Sequence, residues 1–141
     1  LADNNQANKI LNHIEKNNIN KPYPIKAIYP PILKGSKDWQ DYFNDAESKT
    51  PYHYLNGGIW TYIGGFYIIA LIKQRKFEKA EIELKKLAEA NLNSNFSEWL
   101  NGETGKAGFS QAKSQEGNQA WNAGMYILAY ESLKKKKVFL L

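Results

Sequence analysis

Apolar and polar residues divide the chain into four helical stretches joined by polar or proline-bearing connections. Near the N-terminus Ala7, Ile10, Leu11 and Ile14 recur at three- and four-residue spacing, which predicts a surface helix capped by Asn4 or Asn5 and running to about Asn17. From Lys21 to Lys34, Pro22, Pro24, Pro30 and Pro31 each remove a backbone donor and restrict the preceding residue, so an extended, ordered connection is expected there. Asp38–Phe43 suits a short turn of helix. Ile59–Lys73 is apolar on nearly every side (Trp60, Ile63, Phe66, Tyr67, Ile68, Leu71) and predicts a helix buried all round. Phe77–Asn91 sets Phe77, Ala80, Ile82, Leu84, Leu87 and Ala88 among Glu and Lys, the pattern of an amphipathic helix. A buried helix, a short turn and an amphipathic helix make an α/α-hairpin with an inner and an outer member. The last helix, Gln119 to about Lys135, again opens almost wholly apolar with Ala120, Trp121, Ala123, Met125, Tyr126, Ile127 and Leu128.

The connections carry the polar chemistry. Thr50-Pro-Tyr-His-Tyr-Leu-Asn-Gly-Gly is a loop whose Asn-Gly-Gly permits positive φ. Asn93–Asn118, rich in Gly, Ser and Asn, has a length usual for functional or disordered loops. Each of these loops enters a nearly all-apolar helix with a Trp at its start, which would place two similar junctions at one end of a helical assembly. The expected fold is all-α. Two helices that are apolar on all sides ask for more neighbours than a four-helix bundle supplies.

Composition sharpens this picture at a few points. A chain of 141 residues fits a single domain, residues 1–141, burying about two-thirds of its unfolded surface. Aromatic residues, at 13% with four Trp and nine Tyr, exceed what the ordinary apolar and charged fractions suggest. Two readings account for them: core filling, and a cleft in which flat rings stack on the C–H face of a sugar with polar groups around it. The formal charge of +5 raises nucleic acid as a partner. The lysines are scattered, however, Arg75 is the single arginine, and the run Lys134–Lys137 suits a solvated helix end, so no nucleic acid is expected. With no Cys and only His13 and His53, neither disulfides nor a metal site is expected, and no cofactor. The chain opens on a polar stretch without a cleavable signal pattern, and Ile59–Ile72 is too short and interrupted to span a bilayer, so a cytoplasmic protein without membrane contact is expected.

Three stretches are informative together: Pro51-Tyr-His-Tyr-Leu-Asn-Gly-Gly-Ile-Trp, Phe96-Ser-Glu-Trp-Leu-Asn-Gly-Glu-Thr-Gly and Gln119-Ala-Trp-Asn-Ala-Gly-Met-Tyr. In this order they resemble the C-terminal motifs of the (α/α)6-barrel glycosidases that include the alkaline and neutral invertases (glycoside hydrolase family 100) and glycogen-debranching amylo-α-1,6-glucosidase domains. The resemblance runs from about Lys21 onward. It implies helical hairpins forming part of an (α/α)6 barrel, incomplete in this chain, which would be the C-terminal portion of a carbohydrate-cleaving enzyme.

The resemblance maps the family's catalytic base onto Glu98. It also implies an inverting mechanism, with the base activating a water across the sugar from a protonated acid roughly 6.5–9.5 Å away. Read by itself, Glu98 is equally a surface carboxylate or a helix cap beside Phe96 and Trp99. Asn56, Gly57, Gly58 and Trp60 match the family's Asn-Gly-Gly-x-Trp pattern, which lines the sugar cleft; by themselves they are a helix-entry turn with a core Trp. His53 and Trp121 lie in matching motifs and suit either cleft or core. Thr61 stands where the family often has Pro. Glu103, in a turn-like Asn-Gly-Glu-Thr-Gly, is expected to face solvent, and the hydrophilic Gly105–Gly117 says little about substrate. The family's acid is an Asp in the N-terminal half of the barrel, and none of Asp3, Asp38, Asp41 or Asp45 lies in a matching motif.

The substrate implied is sucrose or an α-linked glucan or oligosaccharide. The partner implied is the N-terminal half of the barrel or a further copy of the chain, because one carboxylate without its acid completes no hydrolysis. The alternative is a non-catalytic carbohydrate-binding or assembly module of the same fold.

Overall fold

The computed structural model describes residues 2–44, 47–108 and 118–139. Within them lie four α-helices, α1 (Asn4–Lys16), α2 (Thr61–Lys73), α3 (Phe77–Asn93) and α4 (Ala120–Lys134), and one 3-10 turn at Asp41–Asn44. No strand forms among the described residues; extended segments meet only in isolated bridges. The all-α class is as expected.

Helices α2, α3 and α4 pack on one another, with α2 in contact with both others. Tyr67, Ile68, Ile69, Leu71 and Ile72 from α2, with Ala80, Leu84 and Leu87 from α3 and Ala129 from α4, form the main core. Complete burial of a Leu71-sized side chain contributes about 1.5–3 kcal/mol, so these contacts carry the bundle. Helix α4 approaches α2 closely at Gly65, where a Cβ would lie 2.9 Å from the Met125 Cβ.

Helix α1 is fastened at the far end of the α2–α3 hairpin. Leu11 enters the main core, Asn8 Nδ2 donates to Gln74 Oε1 at 3.3 Å, and Lys79 pairs with Glu15 at 2.7 Å. Its cap is Asp3, one residue before the expected asparagines. Asp3 accepts from the Gln6 N–H at 2.8 Å while Gln6 Oε1 accepts from the Asp3 N–H at 2.9 Å, a reciprocal capping box.

Besides the Asp3 cap, and Phe66, which is exposed on a helix expected to be buried all round, four expectations need adjustment. Helix α2 begins at Thr61 instead of Ile59, because Ile59 exchanges both backbone hydrogen bonds with Leu100 and Trp60 remains extended. The short helical turn sits at Asp41–Asn44, later than Asp38–Phe43. On α3, Ile82 faces solvent and Glu83 is buried, since 80, 83, 84 and 87 share the inner stripe and 82 lies across the helix from it. Buried Glu83 is held by hydrogen bonds from Asn20 and Lys86, each at 2.8 Å. Finally, α4 does not repeat the burial of α2: only Asn122, Ala129 and Ser132 are buried, and Trp121, Ile127 and Tyr130 are exposed.

Among the described residues, no helix is long and apolar enough to cross a membrane, and no group of three or more His, Asp or Glu is placed to hold a metal ion.

Candidate active site

At the end of the bundle where α2 and α4 begin and α3 finishes, the connections interlock. Ile59 and Leu100 donate to each other's carbonyl at 2.8 Å, Ala27 donates to the Gly58 carbonyl at 2.9 Å, and Trp60 donates to the Ile25 carbonyl at 3.3 Å. Residues 57–60 therefore lie between 25–27 and 99–101. A tight turn follows, in which Asn101 Oδ1 accepts from the N–H groups of Glu103 and Thr104 at 3.0 and 2.9 Å, and Leu100 bridges Ala107.

Extended segments point alternate side chains to opposite faces. Ile59 and Leu100 turn into a second small core with Ala90 and Tyr23. Trp60 and Trp99, their neighbours in sequence, belong to a separate aromatic group. Tyr54 lies with its ring centroid 5.1 Å from Trp60 and 6.0 Å from Trp99, and the His53 ring lies 5.4 Å from Trp99. Trp60 Nε1 donates to the Tyr54 carbonyl at 3.1 Å, which fixes the ring against the loop. The separation of these tilted rings is that of favourable aromatic pairs.

Glu98 sits immediately before this aromatic segment, half-buried, and among the described residues no hydrogen bond or ion pair engages its carboxylate. Its backbone is fixed on both sides. After it, Leu100 is locked to Ile59. Before it, the Ser97 carbonyl accepts from Asn122 Nδ2 at 2.8 Å, while Asn118 and Gln119 donate to the Asn95 and Phe96 carbonyls at 2.8 and 3.1 Å. The start of α4 thus docks on the segment that carries Glu98.

The residues singled out by the sequence take different places around it. Asn56 is fully buried, and its side chain grips one backbone unit: Oδ1 accepts from Ile32 N–H at 2.7 Å and Nδ2 donates to Ile32 O at 2.9 Å. It holds the loop and is enclosed by it. Gly57 adopts φ +95, and a Cβ at Gly58 would lie 2.5 Å from the Tyr54 carbonyl oxygen, so both glycines serve a turn that folds back on itself. Trp60 is buried at the turn's exit, and His53 is half-buried. Trp121, on the first turn of α4, is 48% exposed and presents its ring to solvent. Glu103 is exposed. Of the aspartates, Asp3 caps α1, Asp41 opens the 3-10 turn, Asp38 is exposed, and Asp45 lies outside the described residues, as do 109–117 of the long loop.

Three further residues belong to this end and were not chosen from the sequence. Trp99 is buried with Nε1 unpartnered among the described residues, Tyr54 links the two tryptophans, and Asn122 is fully buried against Ser97. A polar residue in the first turn of an otherwise apolar helix was the one signal for Asn122. Thr61 Oγ1, Asn122 Oδ1 and both polar atoms of the Asn91 side chain are also buried without a partner among the described residues. They lie at the start of α2, the start of α4 and the end of α3. An unpaired buried polar group costs about 1–3 kcal/mol; farther along the bundle Glu83 Oε2 and Ser132 Oγ are also unpartnered among the described residues, but they stand singly. Such local cost marks functional ends of proteins more than scaffold ends.

No curated protein matches the sequence. The sequence profile of the family described as alkaline and neutral invertase matches residues 1–136, so the match also takes in α1, N-terminal to the motifs that first suggested it. The chain belongs to the alkaline and neutral invertase family of glycoside hydrolases.

Proposed function

We propose that the chain supplies the general base and part of the sugar cleft of an inverting glycosidase acting on sucrose or an α-linked glucan or oligosaccharide, with Glu98 as the base. The observation that carries this reading is the setting of Glu98: half-buried, free of partners among the described residues, and held by backbone bonds on both sides next to an aromatic group. A general base must be ionised, positioned and unspent; a carboxylate already engaged in an ion pair is ionised and held, but its partner lowers its basicity and occupies the oxygen that a water would need.

In the proposed reaction Glu98 takes a proton from a water molecule, which attacks the anomeric carbon. A carboxylic acid roughly 6.5–9.5 Å away protonates the leaving oxygen, and the product has inverted configuration. His53 and Trp121 contact the sugar, Trp121 by stacking its exposed ring. Trp60, Gly57 and Gly58 shape the wall, and Asn56 acts by holding the loop to Ile32. The acid comes from the remaining hairpins of the barrel, supplied by an N-terminal half or, less simply, by a second copy of the chain. Twelve helices make six hairpins, and four helices are present among the described residues.

A second reading, a non-catalytic carbohydrate-binding or assembly module, draws on one observation: no aspartate of the chain sits in a motif matching the acid. Hydrolysis of sucrose and of α-1,4- and α-1,6-linked glucans separates the two, assayed with the chain alone and with the chain mixed with an N-terminal half from its own genome. Turnover only in the mixture supports the proposal. No turnover in either, with sugar binding retained, supports the module.

A further inference from the structure

A shallow depression of about 630 Å³, wide open to solvent, lies beside the interlocked loops, lined by Lys21, Lys26, Lys86, Tyr29, Tyr52 and Glu103, with the turn at Asn17 and Asn18 completing it. We propose that this depression binds a phosphorylated monosaccharide, with the lysines holding the phosphate. The inference does not rest on the role of Glu98.

Three lysines line one space, Lys21 and Lys26 from the proline-bearing segment and Lys86 from α3. Lys26 is anchored, donating to the carbonyls of Asn18, at 3.0 Å, and Lys21. Burial lowers its pKa, partly offset by the negative charge of Glu103. A cation held in a partly dehydrated place by neutral carbonyls gains more from an incoming anion than one already paired in water does. Lys86 is braced by buried Glu83 at 2.8 Å, which fixes its direction while leaving two of its three N–H groups for a ligand. Lys21 is exposed, and among the described residues no side-chain partner engages it. Against the three cations stand Glu103 and, behind Lys86, Glu83, so the depression has an excess of positive charge.

The chemistry of the lining selects the ligand class. A phosphate monoester offers a near-dianion with three strong acceptor oxygens, and every charged group available to it except Glu103 is a donor. The volume exceeds what a bare phosphate fills and suits a small-molecule ligand. Tyr29, Tyr52 and the Asn17 and Asn18 amides add ring faces and hydrogen-bonding groups of both kinds, which fit sugar hydroxyls. The site also bridges the loops of the candidate active site. Gly102 donates to the Tyr52 carbonyl at 2.8 Å, joining the loop of His53 to the segment following Glu98, and both residues line the depression. A ligand seated there ties the two loops together, which is the position of an effector.

The test is calorimetric titration of the full chain at low salt with glucose 6-phosphate, inorganic phosphate and glucose. Saturable binding of glucose 6-phosphate, tighter than that of inorganic phosphate, is expected, with no binding of glucose. The side chains of Lys21 and Glu103 are solvent-exposed and bear no core contact, so variants at both should fold, which circular dichroism checks. Lys21→Ala should weaken glucose 6-phosphate binding by about threefold and Glu103→Gln should strengthen it by about threefold, both effects shrinking as salt is raised. Equal affinity for glucose and glucose 6-phosphate would overturn the proposal, as would equal affinity for the two phosphates, no binding of either, or an affinity indifferent to both substitutions.

Discussion

Helices α2 and α4 look alike in sequence and end differently. Each is apolar almost all round and each follows a polar loop with a Trp at the junction, yet α2 buries Tyr67, Ile68, Ile69, Leu71 and Ile72 whereas α4 buries only Asn122, Ala129 and Ser132. Of the large side chains of α4, Trp121, Ile127 and Tyr130 are exposed, while Met125, Tyr126, Leu128 and Leu133 are partly buried against the main core. Apolarity on every side states how much burial a helix needs. Whether that burial is met depends on neighbours, and α2 has α3, α4 and the 19–25 segment around it while α4 has one flank covered. The buried residues of α4 are small or polar, which suits a helix seated closely on α2 at Gly65 and on Ser97 at its tip.

The largest expected effect falls on α2. Leu71 is fully buried, and Leu71→Ala should lower unfolding free energy by about 2–5 kcal/mol in a urea titration, through lost transfer energy and a residual cavity. A drop under about 1 kcal/mol would mean that α2 is no better packed than α4. Next comes the polar contact that anchors the start of α4 on Ser97. Asn122→Ala removes the bond to the Ser97 carbonyl and leaves that buried acceptor unpaired, while also relieving the unpartnered Asn122 Oδ1, for a net cost of about 1 kcal/mol. Its amide-exchange signature should be local, with faster exchange at Asn118 and Gln119, whose N–H groups pair with the same segment.

A pH effect distinguishes the helices more finely. Burial raises the Tyr67 hydroxyl well above its ordinary pKa of 10.0, with the charges of Glu83 and Glu15 adding to the shift. Because the folded value lies above the unfolded one, the neutral phenol's contribution is complete below pH 10 and is lost as pH rises beyond it. Tyr67→Phe should therefore show a shallower fall in stability above pH 10 than the parent, measured by denaturant unfolding at stepped pH. Parallel curves for the two proteins would remove Tyr67 as a source of alkaline sensitivity. The smallest effect belongs to the open flank of α4: Ile127, 59% exposed, should tolerate Ser within about 0.5 kcal/mol by thermal unfolding.

Element type was legible throughout, because the three-and-four spacing of Ala7 to Ile14 and of Ala80 to Leu87 is a property of the local sequence. Boundaries were less so. Nothing local distinguishes Ile59 as an extended residue; its pairing with Leu100, 41 positions on, is a tertiary choice. The exposure of α4 was illegible for the same reason, since it depends on which flanks are covered. At the candidate site, the glycines and Trp60 were visible as a junction, and the three motifs together, the one around Glu98 among them, carried the resemblance to the family. The assignment of Asn56 to a backbone clamp on Ile32 was not visible, because an Asn in a Gly-bearing turn reads the same whether it faces a ligand or a neighbouring backbone segment.

The central claim is that Glu98 is the base of a glycosidase, and the direct measurement is sucrose hydrolysis by the assembled barrel carrying Glu98 or Glu98→Gln, with unfolding midpoints recorded alongside. Loss of turnover by about 10²–10⁴-fold at an unchanged midpoint is predicted. Turnover retained by the Gln variant would contradict the account.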